Sequence, residues 1–128
     1  MRAYVDSSVI LTILFQESGW TRWKKIFSSF EDCLSSSLTE AEVLATALRE
    51  NLDLHLAGKA LQTVSLIFPE RSLQKECLQI LKNGYCHGAD LWHVANALYL
   101  DPQASHLVFI SADDRQRQIA HLAGFRLS

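Results

Sequence analysis

The sequence predicts an α/β domain in which a mostly parallel sheet of four or five strands is flanked by helices. Short strand-like runs recur at 2–5, 33–37, 63–68 and 107–111. Each is followed by a segment of helical spacing or composition, and no repeat, low-complexity stretch or linker interrupts the alternation. Parallel strands need long crossovers, which helices supply on the faces of the sheet. With 128 residues, 48% hydrophobic and 20% charged, residues 1–128 are expected to form one domain around a real core.

Taken in order, residues 2–5 read as a strand running straight into Asp6. The segment "SSVILTILFQ" after it has the caps and length of a helix that stops before Gly19. A second helix is expected from about Trp20, because Trp23, Ile26, Phe27 and Phe30 fall at i, i+3, i+4 and i+7. "CLSSS" is a small-residue strand, and Thr39 opens a helix whose apolar face carries Ala41, Leu44, Ala45 and Leu48. Residues 53–62 look helical, and "TVSLIF" before Pro69 is β-branched and apolar enough for a third strand. "SLQKECLQILKNG" is a helix stopped by Gly84, and "ADLWHVANALYL" is a strongly helical run ended by Asp101 and Pro102. "LVFIS" at 107–111 is the most strand-like segment, "DDRQRQIAHLAG" makes a last helix, and "FRL" offers an edge strand.

Composition narrows the function classes. The longest apolar run falls short of a membrane span and no signal-like segment is present, which predicts a soluble cytoplasmic protein. Cys33, Cys77 and Cys86 are odd in number and lack metal-ligand spacing, so they read as small buried hydrophobes. A net charge of -2 argues against a plain electrostatic nucleic-acid binder. An enzyme whose own acids skew the count is a different matter: with four carboxylates set aside, the remainder carries +2.

Four acids stand at helix starts that follow strands or loops: Asp6, Glu42, Asp90 and Asp113. In an open α/β sheet such positions gather beyond the carboxyl ends of the strands, where ligands bind. Helix capping explains acids at these places too, and Thr39 with Glu42 fits a capping box. Capping needs one residue per helix, however, and Ser7, Thr39 and Ser111 could already serve. Asp90 opens a helix that is apolar around most of its circumference, so burial is expected and with it a partner. Carboxylates brought together repel unless a cation intervenes, and an all-oxygen set suits Mg²⁺ or Mn²⁺. That combination hydrolyses phosphodiesters.

The segments "YVDSSVIL", "SSLTEAEVL", "ADLWHVANAL" and "FISADDRQ" followed by "AGF" resemble, in order and context, the PIN-domain ribonucleases, and most closely the VapC-type toxins of toxin-antitoxin pairs. The resemblance spans essentially the whole chain. It implies a three-layer PIN-like domain and an endoribonuclease dependent on Mg²⁺ or Mn²⁺, with Asp6, Glu42, Asp90 and Asp113 as its catalytic and metal-binding acids. It further implies an RNA substrate, a cognate antitoxin and a homodimer. Asp114 competes with Asp113 and Glu40 with Glu42, the motif register favouring Asp113 and Glu42 in each case. Ser111 keeps a hydroxyl that could orient a carboxylate or a water.

His93 shares a helix face with Asp90 and reads first as a packed, hydrogen-bonded histidine. Arg115 and Arg117, close to Asp113, are the best-placed candidates for RNA phosphate contacts; a solvated helix face is the ordinary alternative. Trp20 and Trp23 read as core or partner interface before base-stacking groups. A phosphoaspartate enzyme of the haloacid-dehalogenase kind would want an acid where Ser8 stands, and a receiver domain needs a late lysine, whereas none follows Lys82. A catalytically inactive PIN-like module that binds RNA or a protein stays as the alternative function.

Overall fold

The computed structural model describes residues 1–128. In chain order the elements are β1 (Arg2–Val5), α1 (Ser7–Leu14), α2 (Trp20–Ser28), β2 (Asp32–Ser36), α3 (Ser37–Arg49), α4 (Leu54–Leu61), β3 (Ser65–Ile67), α5 (Gln74–Leu81), α6 (Gly88–Leu100), β4 (Val108–Ile110), α7 (Asp114–Leu122) and β5 (Arg126–Leu127). The five strands form one sheet in the order β3-β2-β1-β4-β5, with every pairing parallel. The predicted alternation is therefore present, and "FRL" supplies the fifth strand at the β4 edge.

Alternation along the strands divides the core into two layers. Tyr4, Leu34, Ile67 and Phe109 point to one face, where Leu73, Ile80, Val94, Leu98 and Ala120 from the α5–α7 side cover them. Ala3, Val5, Cys33, Val108 and Ile110 point to the other, under Val9, Ile10, Val43, Ala47 and Ala57 from α1, α3 and α4. The sheet thus lies between two helical layers, as the resemblance implied.

The chain winds outward from β1 through β2 to β3, then returns to place β4 on the other side of β1. Between β1 and β4 the direction of winding reverses. In parallel sheets the carboxyl ends on either side of such a reversal diverge and leave a crevice.

Local details depart from the expectations at three places. The helix after β2 begins at Ser37 with Ser36 as its cap, two residues before Thr39, which puts Glu42 in the second turn. Thr39 is fully buried, with Oγ1 2.6 Å from Ser35 Oγ, so no Thr39–Glu42 capping box forms. The face that α3 buries runs through Thr39, Val43 and Ala47 rather than Ala41, Leu44, Ala45 and Leu48; Leu48 is 66% exposed. Small residues win there because α3 contacts both the sheet and α1, leaving room for little more than a Val at the contact line. Finally, α2 has no fully buried residue: Trp23, Ile26, Phe27 and Phe30 are half-covered against the second core cluster.

Candidate active site

Asp6 extends β1 by one hydrogen bond, its N–H donating to Ile110 O at 3.3 Å, and then caps α1 with its side chain. The residue is 4% exposed. Oδ1 accepts from Ser8 N (3.1 Å) and Ser8 Oγ (2.5 Å), and Oδ2 accepts from Ser111 Oγ (2.6 Å). Each hydroxyl also accepts a backbone bond, Ser8 Oγ from Ala112 N across the crevice (2.8 Å) and Ser111 Oγ from Asp113 N within its own turn (3.0 Å). Two serines therefore clamp Asp6 between the end of β1 and the turn after β4. Even so, burial raises the Asp6 pKa; the bonds from Ser111 and Ser8 and the nearby His93 oppose that rise without cancelling it.

Asp113 is the cap of α7, its Oδ1 accepting from Arg115 N at 2.9 Å. The acid is exposed. Asp90 lies in the first turn of α6 and is half-buried, less deeply than the helix composition suggested, because α6 enters the core only from His93 onward. Its pKa is raised by burial and then by the charge of Asp113, while His87, His93 and Arg115 oppose the rise. That coupling puts Asp90 and Asp113 in one electrostatic neighbourhood. Gln116, fully buried, donates from Nε2 to Asp90 O at 3.2 Å and ties the start of α6 to α7.

Glu42 is placed differently. Its Oε1 meets His93 Nε2 at 2.9 Å, and His93 Nδ1 meets the Tyr4 hydroxyl at 2.8 Å. His93 is 3% exposed, so it is the packed, hydrogen-bonded histidine expected, and it links β1, α3 and α6. Burial raises the Tyr4 pKa, keeping the phenol neutral.

Ser111 thus joins Asp6 to the turn that carries Asp113, the charge of Asp113 acts on Asp90, and His93 ties Glu42 to Tyr4 of β1. Nothing in the sequence marks Ser8, Gln116 or Tyr4 as partners of these acids. A serine two residues beyond an Asp looks like helix-start composition, and its bond to residue 112 depends on the β1–β4 pairing. Arg115 is exposed, whereas Arg117 donates from Nη1 to Ser128 O (2.9 Å) and Ser111 O (3.4 Å), which commits it to the C-terminal backbone. Trp20 and Trp23 lie on α2 under Lys24 and Arg22 respectively, each cation within 6 Å of its ring.

The donor chemistry fits a hard divalent cation: the candidate groups are carboxylate and hydroxyl oxygens, two of the acids carry raised pKa values, and Cys86 is kept a neutral thiol by burial and by the charge of Asp90. Burial pushes the Cys33 thiol up to about 11 and raises Cys77 and Cys86 as well. As the side chains stand, no three acidic, histidine or cysteine groups close on a common point.

A PIN domain family model matches residues 3–122. The chain belongs to the PIN domain family. Among solved structures, VapBC-1 from nontypeable Haemophilus influenzae matches with a TM-score of 0.68 and 16% identity, covering 100% of this chain and 97% of that one. VapBC2 from Rickettsia felis, bound to a DNA fragment from its promoter, matches with a TM-score of 0.61 and 11% identity over 100% and 98% of the two chains. At such identities the likeness establishes the PIN fold. Curated protein sequences yield no significant match.

Proposed function

We propose that this PIN domain is an Mg²⁺- or Mn²⁺-dependent endoribonuclease that hydrolyses RNA phosphodiester bonds in the cytoplasm, and that it is the toxin of a toxin-antitoxin pair. The observation that supports the reading is the Ser111 link between the Asp6 carboxylate and the Asp113 turn, with Asp90 near enough to feel the charge of Asp113 and with Asp6 and Asp90 destabilised as anions by burial. A fold needing only caps has no use for a carboxylate clamped by two serines out of water.

In this reading Asp6, Asp90 and Asp113, joined by Glu42, hold the ion. When bound, a divalent cation supplies positive charge and Lewis acidity toward phosphate and water oxygens. The chain's own groups position the rest. Ser8 and Ser111 fix the plane of the Asp6 carboxylate, Gln116 holds the start of α6 against α7, and His93 sets the orientation of Glu42. Arg115 is free to meet an RNA phosphate beside Asp113, a role that Arg117 can share only by giving up its backbone partners.

The solved relatives are VapBC assemblies, and by that analogy an antitoxin covers this chain. A groove of about 640 Å³ lined by Ile10, Ile13, Leu14, Phe27 and Phe30 gives an apolar partner segment somewhere to lie. A homodimer belongs to the same proposal.

Cleavage of a mixed RNA pool with Mg²⁺, Mn²⁺ or EDTA, beside Asp6→Asn and Asp90→Asn, tests the reading. Metal-dependent cutting lost in both variants is the expected result. RNA bound equally well in EDTA and left intact under every metal would favour the binding module, to which the His93-bound Glu42 gives some footing.

A further inference from the structure

The connection between α5 and α6 carries an aromatic group that the cleavage chemistry does not use. Tyr85 is 87% exposed, more than any other large apolar side chain. Its neighbour Cys86 is buried in the core and pins the loop, and Gly84, at φ +121, provides the left-handed turn that brings the chain out of α5. His87 has extended backbone, and its ring lies 5.9 Å from that of Tyr85 at 60°. These two rings, with Asn83, Arg115, Gln118 and Leu122, line a pocket of about 420 Å³. Its rim reaches the acids: His87 is the cap residue of α6, whose first turn carries Asp90, and Arg115 N donates to Asp113 Oδ1 at 2.9 Å.

We propose that this pocket is a nucleobase subsite, in which one base of a single-stranded RNA beside the scissile phosphate stacks on Tyr85 while Arg115 meets the adjoining phosphate. The inference rests on the nuclease reading and deepens it by naming the form of RNA accepted. An uncovered aromatic face is what an unstacked base seeks, and bases of single-stranded segments can splay out to reach one, whereas those inside a duplex cannot. The volume lies in the range of small-ligand pockets, too small for a helical stem. Leu122 offers an apolar floor, and the exposed Gln118 amide offers both a donor and an acceptor to a base edge.

The test uses a single-stranded RNA oligonucleotide of mixed sequence whose cleaved bond has been mapped, together with copies carrying one abasic residue at each flanking position. Tyr85→Ala raises KM about tenfold, the scale of one lost base stack, and Tyr85→Phe restores it. One abasic position costs the wild type a similar factor and costs Tyr85→Ala nothing further. An unchanged KM in Tyr85→Ala, or equal abasic penalties in both proteins, overturns the subsite while leaving the nuclease intact. A wild type that cuts no RNA under either metal overturns the nuclease reading and the subsite with it. Should Tyr85→Ala leave KM alone and instead weaken inhibition by a co-expressed antitoxin, the pocket belongs to the protein partner and the base subsite is wrong.

Discussion

Replacing Asp6 by Asn removes a charge and almost nothing else, so its effect on stability can be worked from the contacts. The amide Oδ1 still accepts from Ser8 N and Ser8 Oγ, and the amide nitrogen can donate to Ser111 Oγ once that hydroxyl turns toward Asp113 O, 3.4 Å away. What is lost is the extra strength of three charge-assisted bonds, each roughly twice that of a neutral one. What is gained is relief from burying an anion, of order several kcal/mol. The raised pKa of Asp6 shows burial outweighing the bonds, so the variant should be more stable at pH 7 without metal, by on the order of 1 kcal/mol or about 4 °C in Tm for a chain of this size. The sign reverses a common intuition about buried, hydrogen-bonded acids. Because the folded-state pKa lies above the unfolded value of about 3.9, the native protein binds more protons than the unfolded chain in the window between the two values. Wild-type stability therefore falls as pH rises through that window, and Asp6→Asn removes this contribution. Thermal melts in EDTA from pH 4 to 8 measure the difference. A variant less stable than wild type at pH 7, or a gain as large at pH 4 as at pH 7, would refute the buried-charge argument.

Mg²⁺ or Mn²⁺ added to the metal-free wild type should raise its Tm in proportion to the logarithm of metal concentration above Kd, and should leave Asp6→Asn nearly unmoved; equal shifts in both would place the ion elsewhere. Tyr4→Phe deletes the hydroxyl that holds His93 and leaves Nδ1 unpaired in the core, at a cost of about 1–3 kcal/mol by chemical denaturation, with reduced cleavage through a looser Glu42. Unaltered stability there would mean His93 turns to another partner. Asp101 is pulled up by its own burial but pulled down further by the N–H groups of Leu107, His106 and Ser105, so its pKa is lowered. Its contribution is complete above the unfolded value of about 3.9 and is lost as pH falls through the depressed folded value; Asp101→Ala should lose about 2 kcal/mol at pH 7 and less at low pH.

The strand-helix alternation was readable because parallel strands and their crossovers impose it on every stretch of sequence. The positions of Asp6, Asp90 and Asp113 at helix starts were readable for the same reason. The surroundings of these acids were not. Ser8 and Ser111 meet around Asp6 only because β4 pairs with β1, a contact spanning more than a hundred residues. Gln116 looked like an ordinary polar helix residue, and only the packing of α7 on α6 makes it the tie to Asp90. The α3 face went wrong because apolar spacing finds the largest stripe, whereas the sheet selected the smallest one, Thr39, Val43 and Ala47. Motif register points to Glu42, but its contact with His93 requires knowing how α3 and α6 meet in space.

That Asp6 and Asp113 both cap the helices they introduce bears on how such a protein can change over generations. Asn caps a helix about as well as Asp, and one base substitution in the codon separates the two residues. A gene for this chain is therefore a single point mutation away from a product that folds and still presents the same outer surface, but whose acid edge has lost a charge. Loss of the proposed activity need not pass through an unfolded intermediate, so folded forms with an incomplete acid set would be readily reached by drift and equally accessible at the bench.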